Sequence, residues 1–208
     1  MTKKFYVEQV LRILAGGNVP RDFTVDEREL AAWMDDERDA MITRLFNANL
    51  NKASLDSSLR GDLASTYTSL AVATDSDTSR KYIPVKQALS LDLDRGYVGV
   101  WIQAGMIPLI PVRTNSGLYT GLKSDSLQGR LGFYPERTST QVNRLYFTGA
   151  TGLVSNGNLM VAKLIVRGNE IGLDEEYPVH SLFMDELKTK ALQIYGNRPE
   201  INRNLDGR

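Results

Sequence analysis

QVNRLYFT, residues 141–148, and LMVAKLIVR, residues 159–167, are the two stretches on which the reading of the fold turns. Both read as the clearest strands in the chain, the first mixing aromatic and polar residues and the second nearly all aliphatic. Asn156-Gly157 between them is a turn signal, although the whole connection is longer than a tight hairpin loop. Working backward, Tyr97 to Ile102 is another run of aromatic and branched residues. Leu89, Leu91 and Leu93 alternate with Ser90 and Asp92 before it, and Asp94-Arg95-Gly96 would turn the chain between the two arms of a hairpin. Together these strands predict a small antiparallel sheet. Ser54 to Ser79, rich in Ser, Thr and Asp, reads as loop with at most one short strand. Asn115 to Gly132 reads as a long Gly-rich loop.

The period changes toward both ends. Val7, Val10, Leu11 and Leu14 recur at steps of three and four, predicting a helix over Thr2 to Ala15 that Gly16 and Gly17 stop. Thr24 and Glu27 have capping-box spacing for a second helix reaching about Leu50, with Leu30, Trp33, Met34, Met41 and Leu45 along it. The charged run from Asp35 to Asp39 in its middle reads as a solvated face. A sharper alternative makes it a set of ion pairs between identical subunits. After Tyr177-Pro178, Leu182, Leu187, Ala191 and Ile194 line one side of a last helix that Gly196 ends. The fold class is therefore α+β: an N-terminal helical hairpin over 1–52, a central antiparallel β region with long loops over 53–178, and a C-terminal helix with an extended polar tail over 179–208, expected to form one compact domain.

The chain has 208 residues and no cysteine, which excludes disulfides, thiol nucleophiles and thiolate metal sites. Lys plus Arg and Asp plus Glu number 25 each, so no global field favours a polyanion. No apolar run reaches the length of a membrane helix, and the chain reads as soluble and unprocessed. His180 is the single imidazole and reads as a capping or packing residue. Gly117 to Ser124 resembles a P-loop only loosely, because three residues separate Gly117 from Gly121 and Leu122 intervenes before Lys123. Asp92, Asp94 and Gly96 lack the remaining ligands of a calcium loop. Arg144 and Tyr146 fall on one face of their strand, Leu145 and Phe147 on the other, which is ordinary half-buried strand chemistry rather than a nucleic-acid platform. Only paired carboxylates stay open as catalytic chemistry, and adjacent Glu175 and Glu176 should diverge. No catalytic residue, cofactor or metal is expected.

Val7 to Leu14, then Gly16-Gly17, then Asp26-Glu27-Arg28-Glu29 leading a long helix resemble the start of small virion proteins of crAss-like tailed bacteriophages. Tyr177-Pro178-Val179, Tyr195-Gly196, Arg198-Pro199 and Asn204-Leu205-Asp206-Gly207 are similar to the end of the same group. The resemblance covers the two ends and leaves the middle unmatched. It implies a virion structural protein made in the host cytoplasm: a head–tail connector or tail-ring subunit below the portal, commonly twelvefold. Its partners would be further copies of itself, the portal or an adjacent ring, and DNA passing without sequence-specific binding, with no membrane. A capsid decoration, a tail-tube protein and a carboxylate hydrolase are the alternatives. Met106 to Val112 is apolar but holds Pro108 and Pro111, so it reads as an edge strand or an extended arm. Met106, Ile107, Leu109 and Ile110 of this arm, with Ile201 and Leu205 of the tail, are the expected partner-interface residues.

Overall fold

A computed structural model describes residues 1–17, 25–48, 62–91, 96–112, 130–137, 143–149 and 151–195. The fold is α+β, with helices at both ends and strands between them. It divides into two compact units, residues 1–63 with 167–208, and residues 64–166. The single domain expected from the sequence is corrected accordingly: the β region is an insertion within a helical unit, and residues 167–178 belong to the helices rather than the strands.

In the helical unit, α1 runs from Lys3 to Leu14. Thr2 caps it, its hydroxyl accepting from the Phe5 amide. The Lys3 and Lys4 amides, which a helix start leaves unpaired, donate to the Glu175 and Leu173 carbonyls at 3.0 and 2.8 Å. At the other end Gly16 (φ 69°) bonds back to Ile13 and Gly17 to Arg12, the paired closure that left-handed glycine allows. α2 spans Glu27–Ala48, and its cap is Asp26, whose carboxylate accepts from the Arg28 amide at 2.8 Å. Thr24, expected to cap it, lies outside the described residues. α3 spans Ser181–Tyr195.

These helices share one core of Val7, Val10, Leu11 and Leu14, Leu30, Ala31, Met34 and Met41, and Met184, Leu187, Ala191 and Tyr195. The buried stripe of α3 thus turns toward Met184 and Tyr195, and Ile194 is left 49% exposed. On α2, Ile42 and Phe46 are buried where Leu45 is only half-buried. Trp33 packs at the core's margin, edge-on to Tyr195 with ring centroids 5.9 Å apart. The charged run on α2 is corrected as well. Asp35 is 4% exposed and Arg38 fully buried, so this is no solvated face.

Among its described residues the inserted unit holds nine strands: β1 (Ser65–Ala71), β2 (Ala73–Thr74), β3 (Lys81–Val85), β4 (Tyr97–Ile102), β5 (Ile107–Pro108), β6 (Ile110–Pro111), β7 (Leu131–Arg137), β8 (Asn143–Gly149) and β9 (Leu159–Leu164). They form two sheets, ordered β1-β9-β4-β5 and β2-β3-β8-β7-β6, antiparallel except for the β6–β7 pair. β1 continues into β2 through Val72 and β5 into β6 through Leu109, and both corner side chains are buried. The order therefore closes on itself: each sheet's two edge strands run on into the edge strands of the other. Each edge strand is still paired on one side only: β1 with β9, β5 with β4, β2 with β3 and β6 with β7. The interior holds Ile83, Val100, Phe133, Leu145, Phe147, Met160 and Leu164.

Several sequence expectations change here. The Ser54 to Ser79 segment contains two strands, β1 and β2. β7 begins inside the expected Asn115 to Gly132 loop and pairs with β8 along its whole length. Leu89 and Leu91 are buried but form no strand, so the expected hairpin with β4 is absent; β4 pairs instead with β9 and β5. β8 and β9, read as neighbours, lie in different sheets. Among the described residues no helix is long and apolar enough to cross a membrane.

Candidate assembly surface

β4 ends at Ile102, which pairs with Ile107 across a tight turn made by Ala104–Met106. The turn requires left-handed backbone twice in succession, at Gly105 (φ 81°) and Met106 (φ 49°). A side chain in that region costs about 1–2 kcal/mol, so a methionine here is held by its surroundings. Gln103 is the anchor. Its amide donates to the Leu159 carbonyl at 2.9 Å, and its side-chain oxygen accepts from the Ser69 amide at 3.0 Å. Residues 104–108 are all exposed, Met106 at 56% and Ile107 at 54%, and no charged residue occurs between Gln103 and Val112. Leu159, 42% exposed, lies beside the turn through the Gln103 contact. Sequence reading missed it because it opens an otherwise regular strand.

The six expected interface residues part company here. Met106 and Ile107 stand out at the tip. Leu109 is turned into the chain's own core at 5% exposure, and Ile110 is half-buried. The segment is a pair of edge strands and not a free arm: Pro108 and Pro111 have no N–H, but the Leu109 and Val112 amides donate to Val100 and Phe133 at 2.8 Å each. Ile201 and Leu205 lie outside the described residues, as do Gly117 to Ser124 and the Asp92–Asp94 turn.

A second constellation covers the outer face of β3, β8 and β7. Tyr82, Tyr146 and Tyr134 are register partners across the three strands. Arg144 stacks over Tyr82 and Arg80 over Tyr146, each 4.2 Å from the ring centre. Arg80 also grips Glu136 with both guanidinium nitrogens, at 2.8 and 3.2 Å, and donates to the Tyr134 hydroxyl. Asp75 accepts from Arg144 (2.8 Å) and from the Tyr146 hydroxyl (2.6 Å), while its other oxygen takes the Asp77 and Thr78 amides. The Tyr146 bond and those amides hold the Asp75 carboxyl below the usual range. Burial and the same carboxylate push the Tyr146 phenol up. The aromatic and basic residues of this face are thus engaged with one another, and Tyr146 is 1% exposed. The Arg144 and Tyr146 alternation falls as the sequence suggested.

The third constellation is buried in the helical unit. Lys3 of α1 donates to Asp35 of α2 at 2.5 Å and to the Gly168 and Ile171 carbonyls. The Tyr177 hydroxyl lies 3.1 Å from the other Asp35 oxygen. One turn further along α2, Asp39 accepts from Arg38 and from the Gly168 amide, and Arg38 also donates to the Pro178 carbonyl. A Cβ on Gly168 would sit 2.6 Å from the Asp35 Cβ, so only glycine lets this turn lie against α2. Burial raises both Asp35 and Asp39 above the ordinary carboxylate range despite their cations, and lifts Tyr177 well above 10. Asp35 and Asp39 stand four residues apart on one face of α2, as the expected helix implies; what the sequence did not show is that this face is buried. Their oxygens accept from Lys3, Tyr177, Arg38 and Gly168, a bracing arrangement tying residues 167–178 to α1 and α2. Glu175 accepts from the Gly172 amide, Glu176 bridges to Thr2, and the His180 carbonyl accepts the first amides of α3 while its ring packs on Phe183.

The sequence matches no known family model and no curated protein.

Proposed function

We propose that this chain is a non-catalytic structural subunit that works as one of several copies in an oligomeric assembly. On the resemblance of its two ends, that assembly is a ring in the head–tail connector or tail of a crAss-like bacteriophage, beneath the portal and around passing DNA. The observation that carries the reading is the β4–β5 tip. It is apolar, uncharged and conformationally fixed, and Met106 and Ile107 are each more than half exposed. Exposed aliphatic residues fixed on a rigid turn lose little entropy when a partner covers them. Net charge of zero agrees with close packing of copies, since nothing repels them at long range. A conduit for DNA needs no strong phosphate grip, because tight contacts would hold the genome back.

The test is the mass and symmetry of the purified protein, alone and with a candidate portal, by mass photometry and electron microscopy. A closed ring is expected in at least one condition, and Met106→Asp with Ile107→Asp should abolish it while leaving the circular dichroism spectrum intact. A wild-type protein that stays monomeric in both conditions overturns the reading.

A further inference from the structure

We propose that Asn156-Gly157, the chain's single Asn-Gly pair, is a deamidation site whose reaction with water the fold holds in check through Thr74 and Val72, independently of how copies assemble. The pair stands in the turn before β9, with both residues exposed. Gly157 has φ 87°, and no atom beyond its chain neighbours lies within 4 Å of the point a Cβ would occupy, so no side chain obstructs its nitrogen or keeps water away. Asn158 is the contrast. Leu159 follows it, and its carboxamide oxygen accepts from the Ser155 amide and hydroxyl.

The chemistry needs only water and base. With its proton taken by hydroxide, the Gly157 nitrogen attacks Cγ of Asn156; the N–Cγ bond forms, the Cγ–Nδ2 bond breaks and ammonia leaves, giving a cyclic imide. Water then opens the imide at one of its two carbonyls. Opening at Cγ gives aspartate, and opening at the main-chain carbonyl gives isoaspartate, with the backbone rerouted through the side chain. Either way one carboxylate replaces one carboxamide, with no oxidation or reduction. In the fold both reacting groups are engaged. The Gly157 N–H donates to the Val72 carbonyl at 3.1 Å, and Asn156 Oδ1 accepts from the Thr74 hydroxyl at 2.7 Å. Attack therefore awaits local opening of this turn from β2, a two-residue strand paired to β3 through Ala73–Tyr82 and Thr74–Lys81. The product matters to the sheets because Val72 is the buried corner between β1 and β2. Its carbonyl takes the Gly157 amide, and its own amide donates to the Asn158 carbonyl at 2.9 Å. Isoaspartate inserts an extra main-chain carbon beside that pair and loosens the corner.

The test is incubation of the full chain in mildly alkaline buffer made with heavy-oxygen water, followed by return to ordinary water, tryptic digestion and mass spectrometry. One tryptic peptide, residues 145–163, carries both Asn156 and Asn158, and the same synthetic peptide serves as the reference outside the fold. Isoaspartate with one heavy oxygen is expected at Asn156 and not at Asn158, forming several-fold more slowly in the folded protein than in the peptide. Thr74→Val keeps the branched shape and removes the hydroxyl, and should quicken the reaction several-fold at an unchanged melting temperature. Thr74→Ser should keep the wild-type rate. The comparison of wild type with peptide stands whatever Thr74→Val does to stability. Equal rates in folded protein and peptide overturn the restraint by the fold, as does a Thr74→Val rate at or below that of wild type. Equal conversion at Asn158 overturns the site, as does an Asn156 that stays intact in both wild type and Thr74→Val while the peptide is consumed.

Discussion

Lys3 shows how far a side chain's role can lie from its local sequence. Placed next to Lys4 at the head of the chain, it looks like a solvated charge. In the fold it is 5% exposed and bonded to groups 32, 165 and 168 positions away. No periodicity encodes such a contact; it exists only once α1, α2 and the Gly168 turn are assembled. Replacing Lys3 with Met removes a buried cation and leaves Asp35 without it, at a cost of about 3–5 kcal/mol. The sign of the pH effect follows. Asp35 already titrates above its unfolded value, and loss of Lys3 raises it further. The deficit should be largest at neutral pH and shrink as acid protonates Asp35, which urea denaturation of both proteins at pH 7 and pH 5 will show. Gly168→Ala acts by volume alone, since the new methyl meets both the Asp35 Cβ and its backbone Cα below 3 Å. A loss of about 1–3 kcal/mol is expected by the same measurement.

At the scale of elements, the turn over residues 75–80 is fastened to the sheet through Asp75. Its carboxyl is held below the ordinary range, so its contribution is complete above about pH 4 and is lost as pH falls through the folded value. Asp35 and Asp39 act in the opposite sense, favouring the folded helical unit as pH falls toward their unfolded value. Each unit contains one of the chain's two tryptophans, Trp33 with the helices and Trp101 on β4. With Trp33→Phe as background, the melting temperature read from Trp101 should drop steeply below pH 4, and Asp75→Asn should flatten that dependence. Helices were legible because their apolar positions repeat at 3.6 residues, as were β4, β8 and β9 by composition and period. β1 was not, because its STYTSLA sequence is polar and no residue in it is fully buried. β7 was hidden by Gly132 and Pro135. Pairing was harder still, since adjacency in sequence suggests adjacency in space, whereas β9 lies between β1 and β4. Of the interface residues, Met106 and Ile107 were legible as apolar side chains without a regular strand to bury them. Leu109 was not, because nothing local distinguishes a corner that turns inward from a tip that turns out.

For the whole molecule, the two units are written into the chain differently. The helical unit is assembled from both ends, so its core cannot form until residues on either side of the insertion are present. The β unit is one uninterrupted segment. Its first and last strands are partners, with Ser65 opposite Leu164, which puts entry and exit about 5 Å apart. A module whose two ends meet like the prongs of a plug can be pulled out or exchanged without stretching its host. Joining Leu63 to Arg167 through a few glycines and serines should leave a protein whose circular dichroism is helical and whose unfolding is cooperative. Residues 64–166 alone should melt as a β protein. Loss of structure in both pieces would mean the units depend on each other to fold; success in both would make the insertion a part that can be swapped, so that one helical base could carry different tips.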